Sequence, residues 1–337
     1  MIRSTARFTS VRVASLAALV ALSLPVFTAS AQQQAPPAPA VEQPGPSLLA
    51  PAPAAPVFPK PDPANFTAAS PTKETVNAFL TASWGFDTRR VWQVQAILKT
   101  PVEGVSKVVI FVGDKTGQQK PTALQFFALP DGKHIISGDD LIAFGENPFA
   151  ENRAILQQRA DGPYRGSALK ELELVEFADF QCPHCKDAQA NMDKLAVDFP
   201  KARIVFQNYP LPQHKAAANA AAFGLCVAKL GGNDAFFSFS TAVYDGQDGL
   251  STPDGATLTL NSAVTKAGLD PAKVAACAAT PAIAATVEAS VKLAKDLNIN
   301  QTPTLLVNGR PVPIAGTPYE TIKEIVEYQS KLDGLTK

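Results

Sequence analysis

Leu172-Glu173-Leu174-Val175-Glu176-Phe177-Ala178-Asp179-Phe180-Gln181-Cys182-Pro183-His184-Cys185 runs from an apolar segment straight into a pair of thiols. Leu172 to Phe180 reads as a buried strand. A Cys-x-x-Cys pair that opens a helix just after a strand sets its first sulfur beside unpaired backbone N–H groups and the positive end of the helix dipole. Both favour the thiolate. Cys182 and Cys185 therefore read as a redox couple, with Pro183 and His184 between them. Haem attachment fails because Lys186 stands where His is required. Zinc would need two more ligands, and a chain with 3 histidines offers neither a second Cys-x-x-Cys nor a His-x-x-x-His spacing. No metal or cofactor is expected. A purely structural disulfide stays open as the plain alternative.

The N-terminus assigns a compartment. Arg3, Arg7 and Arg12 precede an apolar stretch from Val13 to Phe27, followed by Ala29-Ser30-Ala31, which reads as a secretory signal peptide over residues 1–31. The apolar core is short for a span that needs about 20 residues, so an uncleaved anchor is the lesser reading. Cleavage after Ala31 removes three arginines from the 30 basic and 30 acidic residues, leaving a mildly acidic protein. A nucleic-acid partner is not expected, since binding requires a clustered basic footprint. A periplasmic location is expected.

Export places the 4 cysteines in oxidising conditions. Once Cys182 and Cys185 pair, Cys226 and Cys277 are left over, both in Ala-rich helical segments. A second, structural disulfide between Cys226 and Cys277, clamping two helices, is expected; buried free thiols are the alternative.

Residues 32–65 are a proline- and alanine-rich linker, with 11 prolines between Gln32 and Pro63. Residues 66–146 read as a small α+β domain. A helix from Thr72 to Thr81, with Ser70-Pro71 as its start signal, precedes strands Val91 to Leu98, Lys107 to Val112, Ala123 to Leu129 and Lys133 to Ser137. His134 reads as a solvated residue. Residues 147–165 read as a linker helix, Pro148 to Gln158, capped by Asn147. The catalytic domain, 166–337, reads as strand Glu171 to Ala178, helix Cys182 to Val197, strand Arg203 to Gln207, a helical insertion over about 214–298, strand Thr304 to Val307, a hairpin at Asn308-Gly309 and a last helix, Pro318 to Leu332. The fold class is α/β, the thioredoxin architecture with a helical insertion. Met192, Phe236, Phe237 and Phe239 are expected to fill the insertion's core, and Gly231-Gly232 to end a helix.

Over Glu171 to Lys337 these residues resemble the exported DsbA family of disulfide oxidoreductases, on Cys-Pro-His-Cys at a helix start, Thr302-Pro303-Thr304 before the penultimate strand, and the insertion holding Cys226 and Cys277. The resemblance implies that Pro303 is cis, and that Thr302 and Pro303 form the shelf on which a substrate peptide lies beside Cys182. The family also carries an acidic residue beneath the pair, a role that falls to Glu176 as proton carrier for the buried thiol; a carboxylate on an exposed face is the other reading. Asp179 is expected to shape the turn, and His214 to lie structurally near a helix start. A second resemblance, of about residues 70–145 to the dimerisation domain of DsbC and DsbG type isomerases, rests on Thr100-Pro101-Val102-Glu103-Gly104-Val105 and Leu129-Pro130-Asp131-Gly132-Lys133. It implies a homo-oligomer formed through residues 66–146.

The expected reaction is thiol–disulfide exchange with client proteins carrying thiols or disulfides, at an exposed Cys182. His184 and the helix start stabilise the leaving Cys182 thiolate. A pKa lowered by about 3 units, roughly 4 kcal/mol, raises the potential by about 90 mV. The Pro-His dipeptide is of the oxidase type and the domain organisation of the isomerase type. The membrane redox partner is accordingly DsbB-like or quinone-linked for an oxidase, and DsbD-like for an isomerase. A holdase chaperone or binding protein with an incidental Cys pair is the reading from another class.

Overall fold

The computed structural model describes residues 58–117 and 120–335. The expected signal peptide, residues 1–31, and the proline-rich tract before Phe58 lie outside the described residues. The end of that tract is more than a spacer, since Gln95 Nε2 donates to the Pro59 carbonyl at 2.9 Å; just beyond it, Thr67 and Ala68 donate from their backbones to Ile97.

The small domain packs one helix, α1 (Lys73–Trp84), on a five-stranded antiparallel meander. The strands are β1 (Arg90–Lys99), β2 (Ser106–Asp114), β3 (Thr122–Ala128), β4 (His134–Ser137) and β5 (Asp140–Ala143). Thr72, not Ser70, caps α1, its hydroxyl accepting from Thr75 N at 3.2 Å. The Ser70–Pro71 bond is cis and lies outside the helix. Val76, Phe79 and Leu80 bury against Val108, Ile110, Phe126 and Ile135. The short β5 is missed by the sequence reading. It joins because Gly138, at φ 61°, turns the chain so that Ile142 pairs with Ile135. His134 is paired rather than merely solvated, with Nδ1 2.6 Å from Asp131.

The second sheet runs β10-β9-β7-β8-β6. Its strands are β6 (Tyr164–Gly166), β7 (Glu173–Ala178), β8 (Arg203–Asn208), β9 (Thr304–Val307) and β10 (Arg310–Pro313). Central β7 lies parallel to β8 and antiparallel to β9. Every residue of β7 is buried, which is why the sequence shows a nearly continuous apolar run. Leu174 faces α3 (Pro183–Asp198) and α8 (Tyr319–Leu332), whereas Val175 and Phe177 face α2 (Ala150–Arg159) and α7 (Pro281–Asp296).

Residues 147–165 are not a free-standing linker. β6 pairs with β8, and Leu156 and Ala160 sit in the core with Val175, Phe177 and Val205. A helix of such low apolar content reads as a connector until β7 and β8 supply the surface that its one fully apolar stripe covers. The helix starts at Ala150, and its N-cap is Phe149, without a side-chain cap, in place of Asn147.

The insertion consists of α4 (Ala217–Asp245), a 3-10 turn (Gln247–Ser251), α5 (Pro253–Lys266), α6 (Pro271–Ala278) and α7. Gly232, at φ 82° and ψ −176°, is not helical and divides α4 into two helical stretches across a kink, in line with the helix end expected at Gly231-Gly232. Phe236 and Phe239 are buried in the insertion core with Phe180 and Phe206, and Phe237 packs against it partly exposed. Met192 does not belong there: it lies under the sheet with Leu195, Ile204 and Ile322. Its period along α3 turns it towards β7, away from the insertion.

The hairpin Asn308-Gly309 packs against the start of α2. Both residues have positive φ, 45° and 87°, and a Cβ on Gly309 would meet the Phe149 carbonyl at 2.4 Å. The next residue, Arg310, is 4% exposed. Its guanidinium donates to Gln329 Oε1 at 2.9 Å, to Ser83 O at 3.0 Å and to Ala82 O, and lies over the Phe149 ring. Tyr328 Oη donates to Thr81 O at 2.7 Å. The last carbonyls of α1 are thus capped by the second domain.

Candidate active site

β7 ends at the redox loop, and Asp179 builds the turn. Its Oδ1 accepts from Gln181 N at 2.7 Å and its Oδ2 from Leu211 N at 2.8 Å, with His214 Nδ1 also 2.8 Å away. Asp179 and His214 are therefore scaffold for the loop. Gln181 reaches the other way, accepting from Ala216 N and donating to Leu250 O. Gln247, 8% exposed, donates from one amide to the carbonyls of Phe180 at 2.8 Å and Cys182 at 3.0 Å. The insertion thereby holds the loop that carries the first thiol.

Cys182 is the N-cap of α3, with Pro183 in the first turn. Its thiol lies against the cis Thr302–Pro303 bond and donates to the Thr302 carbonyl at 3.5 Å. Contrary to the expectation of an exposed nucleophile, Cys182 is only 5% exposed and Cys185 is 0% exposed. Both thiols are free in this structure. The Cys185 thiol beside it, with the backbone N–H groups of Cys185 and His184, holds the Cys182 thiol down at about 5 against the opposing effect of burial. The His184 ring is largely exposed, with Nδ1 4.0 Å from Asp187, while its backbone N–H is among the groups that act on the Cys182 sulfur. Burial pushes the Cys185 thiol strongly up, although Asp179 N donates to its sulfur at 3.4 Å.

Glu176 shares the Leu174 face of β7 and is 2% exposed, which overturns the exposed-face reading. Burial raises its carboxyl to about 7, against the lowering effect of the Gln189 amide. Gln189 Nε2 donates to Glu176 Oε1 at 2.9 Å and to the Cys185 carbonyl at 3.1 Å. A buried carboxyl that titrates near neutrality beneath a buried thiol can carry that thiol's proton.

Cys226 and Cys277 are bonded, with Cα atoms 5.9 Å apart, joining α4 to α6. Among the described residues no cluster of three or more His, Cys, Asp or Glu could hold a metal ion. None of the described helices is by itself long and apolar enough to cross a membrane. A cavity of about 740 Å³, lined in part by Leu172, Phe199, Lys201 and Leu335, opens at the opposite end of β7 from the thiols.

The sequence reading missed Gln189 and Gln247. Gln189 is four residues beyond Cys185 and so shares its helix face, a signal that was there to be read. Gln247 is 65 positions from its Cys182 partner, and no local pattern links them.

The family model described as Thioredoxin matches residues 159–328, half of the chain. A thioredoxin-like oxidoreductase from Silicibacter pomeroyi is similar in structure at 25% identity and a TM-score of 0.46, over 53% of this chain and 98% of that one. DsbA2 of Pseudomonas aeruginosa is similar at 25% identity and 0.43, over 50% and 94%. Among curated proteins, Na(+)/H(+) antiporter NhaA 3 of Salinispora tropica is 30% identical over 147 residues, 43% of this chain; the match spans 21% of that protein's length.

Proposed function

From the premise that this chain belongs to the thioredoxin family, we propose that it is an exported thiol–disulfide oxidoreductase that oxidises client thiols through Cys182 and Cys185. The observation that carries the reading is the asymmetry of the pair, with Cys182 held at about 5 and Cys185 pushed up by burial. A client thiolate attacks the Cys182 sulfur of the disulfide, and the bond electrons pass to Cys185. Protonated Glu176 supplies the proton that Cys185 takes. A second client thiolate then attacks the client sulfur of the mixed disulfide, and Cys182 leaves as a stable thiolate. Thr302 and Pro303 flank that sulfur and supply the shelf for the client peptide.

At pH 7 only the interval between pH 5 and 7 stabilises the reduced form. This is two decades, or about 60 mV, which is less than the full displacement of the pKa would give. The direction is towards an oxidant. Its re-oxidant is a DsbB-like or quinone-linked membrane protein.

A second reading, disulfide isomerase, is supported by the small domain. Phe127, Ile136 and Leu141 form a cross-strand row on β3, β4 and β5, each at least 36% exposed, and β5 is an open edge. Such a face suits association of two copies through residues 66–146. The client's disulfides would then be attacked by Cys182, and the protein kept reduced by a DsbD-like partner.

The test is the equilibrium potential of Cys182–Cys185 in glutathione buffers, with oligomeric state measured alongside. A potential of about −120 mV supports the oxidase. A more reducing pair in a stable oligomer with isomerase activity selects the second reading. No exchange with any thiol, or exchange that survives Cys182→Ser, refutes both and leaves a holdase chaperone to be tested by suppression of aggregation.

A further inference from the structure

The 3-10 turn Gln247–Ser251 lies between α4 and α5 and is anchored in the insertion. Leu250 is buried in the insertion core, and Gly249 N donates to the Gly246 carbonyl at 3.0 Å. Gly249 also lies so close to Thr259 that a Cβ on it would meet Thr259 Oγ1 at 2.2 Å. From the head of this turn, Gln247 aims one amide nitrogen at two carbonyls of the redox loop, those of Phe180 at 2.8 Å and Cys182 at 3.0 Å. An amide carries two N–H groups, so both bonds can form at once.

The two carbonyls differ in what they have besides. That of Cys182 also accepts from Cys185 N at 3.1 Å and Lys186 N at 3.3 Å, the first turn of α3. That of Phe180 receives no backbone N–H among the described residues, and Phe180 is buried. Between them the chain turns, with Cys182 N donating to Asp179 O at 3.1 Å. Without the amide, the Phe180 carbonyl would be left buried and unpaired, and its peptide group would rotate towards another donor. Rotation there disturbs the turn that delivers Cys182, the N-cap of α3, whose backbone sets where its sulfur lies against the N–H groups of the helix start. Gln181 does not prevent it, because its bonds to Ala216 N and Leu250 O fix a side chain rather than the peptide planes on either side.

We propose that Gln247 is a positioning residue for thiol–disulfide exchange, holding the Phe180 and Cys182 carbonyls so that the Cys182 sulfur stays in register with the N–H groups that open α3. The inference rests on the exchange reading above. Gln247 acts through the backbone and takes no part in the transfer of electrons or protons. After the Cys185 thiol, the N–H groups of Cys185 and His184 are what hold the Cys182 thiol low. Losing their alignment makes the Cys182 thiolate more basic and the disulfide a weaker oxidant.

The experiment compares the full chain with Gln247→Met, which keeps the length of the side chain and removes the donor. Thiolate absorbance of the reduced variant should give a Cys182 midpoint about one pH unit above wild type. Its equilibrium constant with glutathione should be about tenfold less oxidising, or about 30 mV. Gln247→Asn, which keeps an amide on a shorter stem, should shift both in the same direction by less, and serves if Gln247→Met does not fold. Replacing Cys226 and Cys277 by Ser is the control, since it loosens the insertion without touching the amide and should leave both values at wild type. A wild-type midpoint and equilibrium constant in the folded Gln247 variants, even with a lower melting temperature, overturn the proposal and leave the exchange reading intact. So does an equal shift in the control. Failure of the wild type to exchange with glutathione overturns the exchange reading, and the absorbance midpoints, which need no exchange, still decide whether Gln247 positions the sulfur.

Discussion

Glu176 and Gln189 meet beneath the redox helix: one amide donates to the buried carboxyl at 2.9 Å and to the Cys185 carbonyl at 3.1 Å. The carboxyl is thereby held under the thiol without a full countercharge, and burial keeps it protonated up to about pH 7.

Replacing Glu176 by Gln tests that arrangement through stability as well as rate. A carboxyl whose folded pKa lies above its unfolded value binds more protons folded than unfolded between about pH 4.5 and 7. Stability therefore falls as pH rises through that window and is flat above it. Glu176→Gln should remove this fall and stabilise the protein above pH 7 by up to about 3 kcal/mol. Turnover with a dithiol client at pH 7 should drop by about tenfold or more and lose its inflection near 7. Urea unfolding across pH 4–9 and a rate–pH profile check both.

The Cys182 thiol has the opposite sign. Its folded pKa of about 5 lies below the unfolded value, so its stabilisation of the reduced protein is complete above pH 9 and is lost as pH falls through 5. At pH 7 it amounts to roughly 3 kcal/mol. Thiolate absorbance of the reduced protein should show a midpoint near 5. Since the Cys185 thiol is the largest lowering influence, Cys185→Ala should move that midpoint upward, and His184→Ala should move it less.

The Cys226–Cys277 bridge closes a loop with a sequence separation of 51. Replacing both cysteines by Ser should lower stability by about 2–4 kcal/mol. Because the redox loop is held by Gln181 and Gln247 rather than by the bridge, the potential of the active pair should be preserved. Chemical denaturation and glutathione titration of the double variant separate the two effects.

Arg310 serves three acceptors from a buried position, and burial lowers its guanidinium to about 10. Arg310→Ala leaves the Ala82 and Ser83 carbonyls at the end of α1 without that donor, and should cost about 3 kcal/mol. Arg310→Lys should not restore it, because an ammonium lacks the planar fork. Limited proteolysis should then cut near Gly85 sooner than in the wild type.

If two copies associate through the small domain, Ile136→Asp combined with Leu141→Asp should yield monomers by light scattering. The same change would leave a monomeric wild type unaltered in mass.

The Cys-Pro-His-Cys start of α3, the β7 run and the order of elements after it were legible in the sequence, because each is a local pattern: a period of side chains, a spacing of thiols, a turn dipeptide. Glu176 was legible as an anomaly in an apolar strand, but its burial was not, since which face of β7 is covered depends on α3 and α8. The same reason hid the role of α2, whose sparse apolar residues acquire a core only when β7 and β8 lie beneath them. His184 shows the limit from the other side: its place in the motif suggested charge stabilisation, and only the structure shows that its ring is largely exposed. Local spacing by itself determined which atoms could react. Only tertiary structure decided which of them are desolvated and which carbonyls Gln247 and Arg310 hold, because those depend on contacts between segments that no short-range pattern encodes.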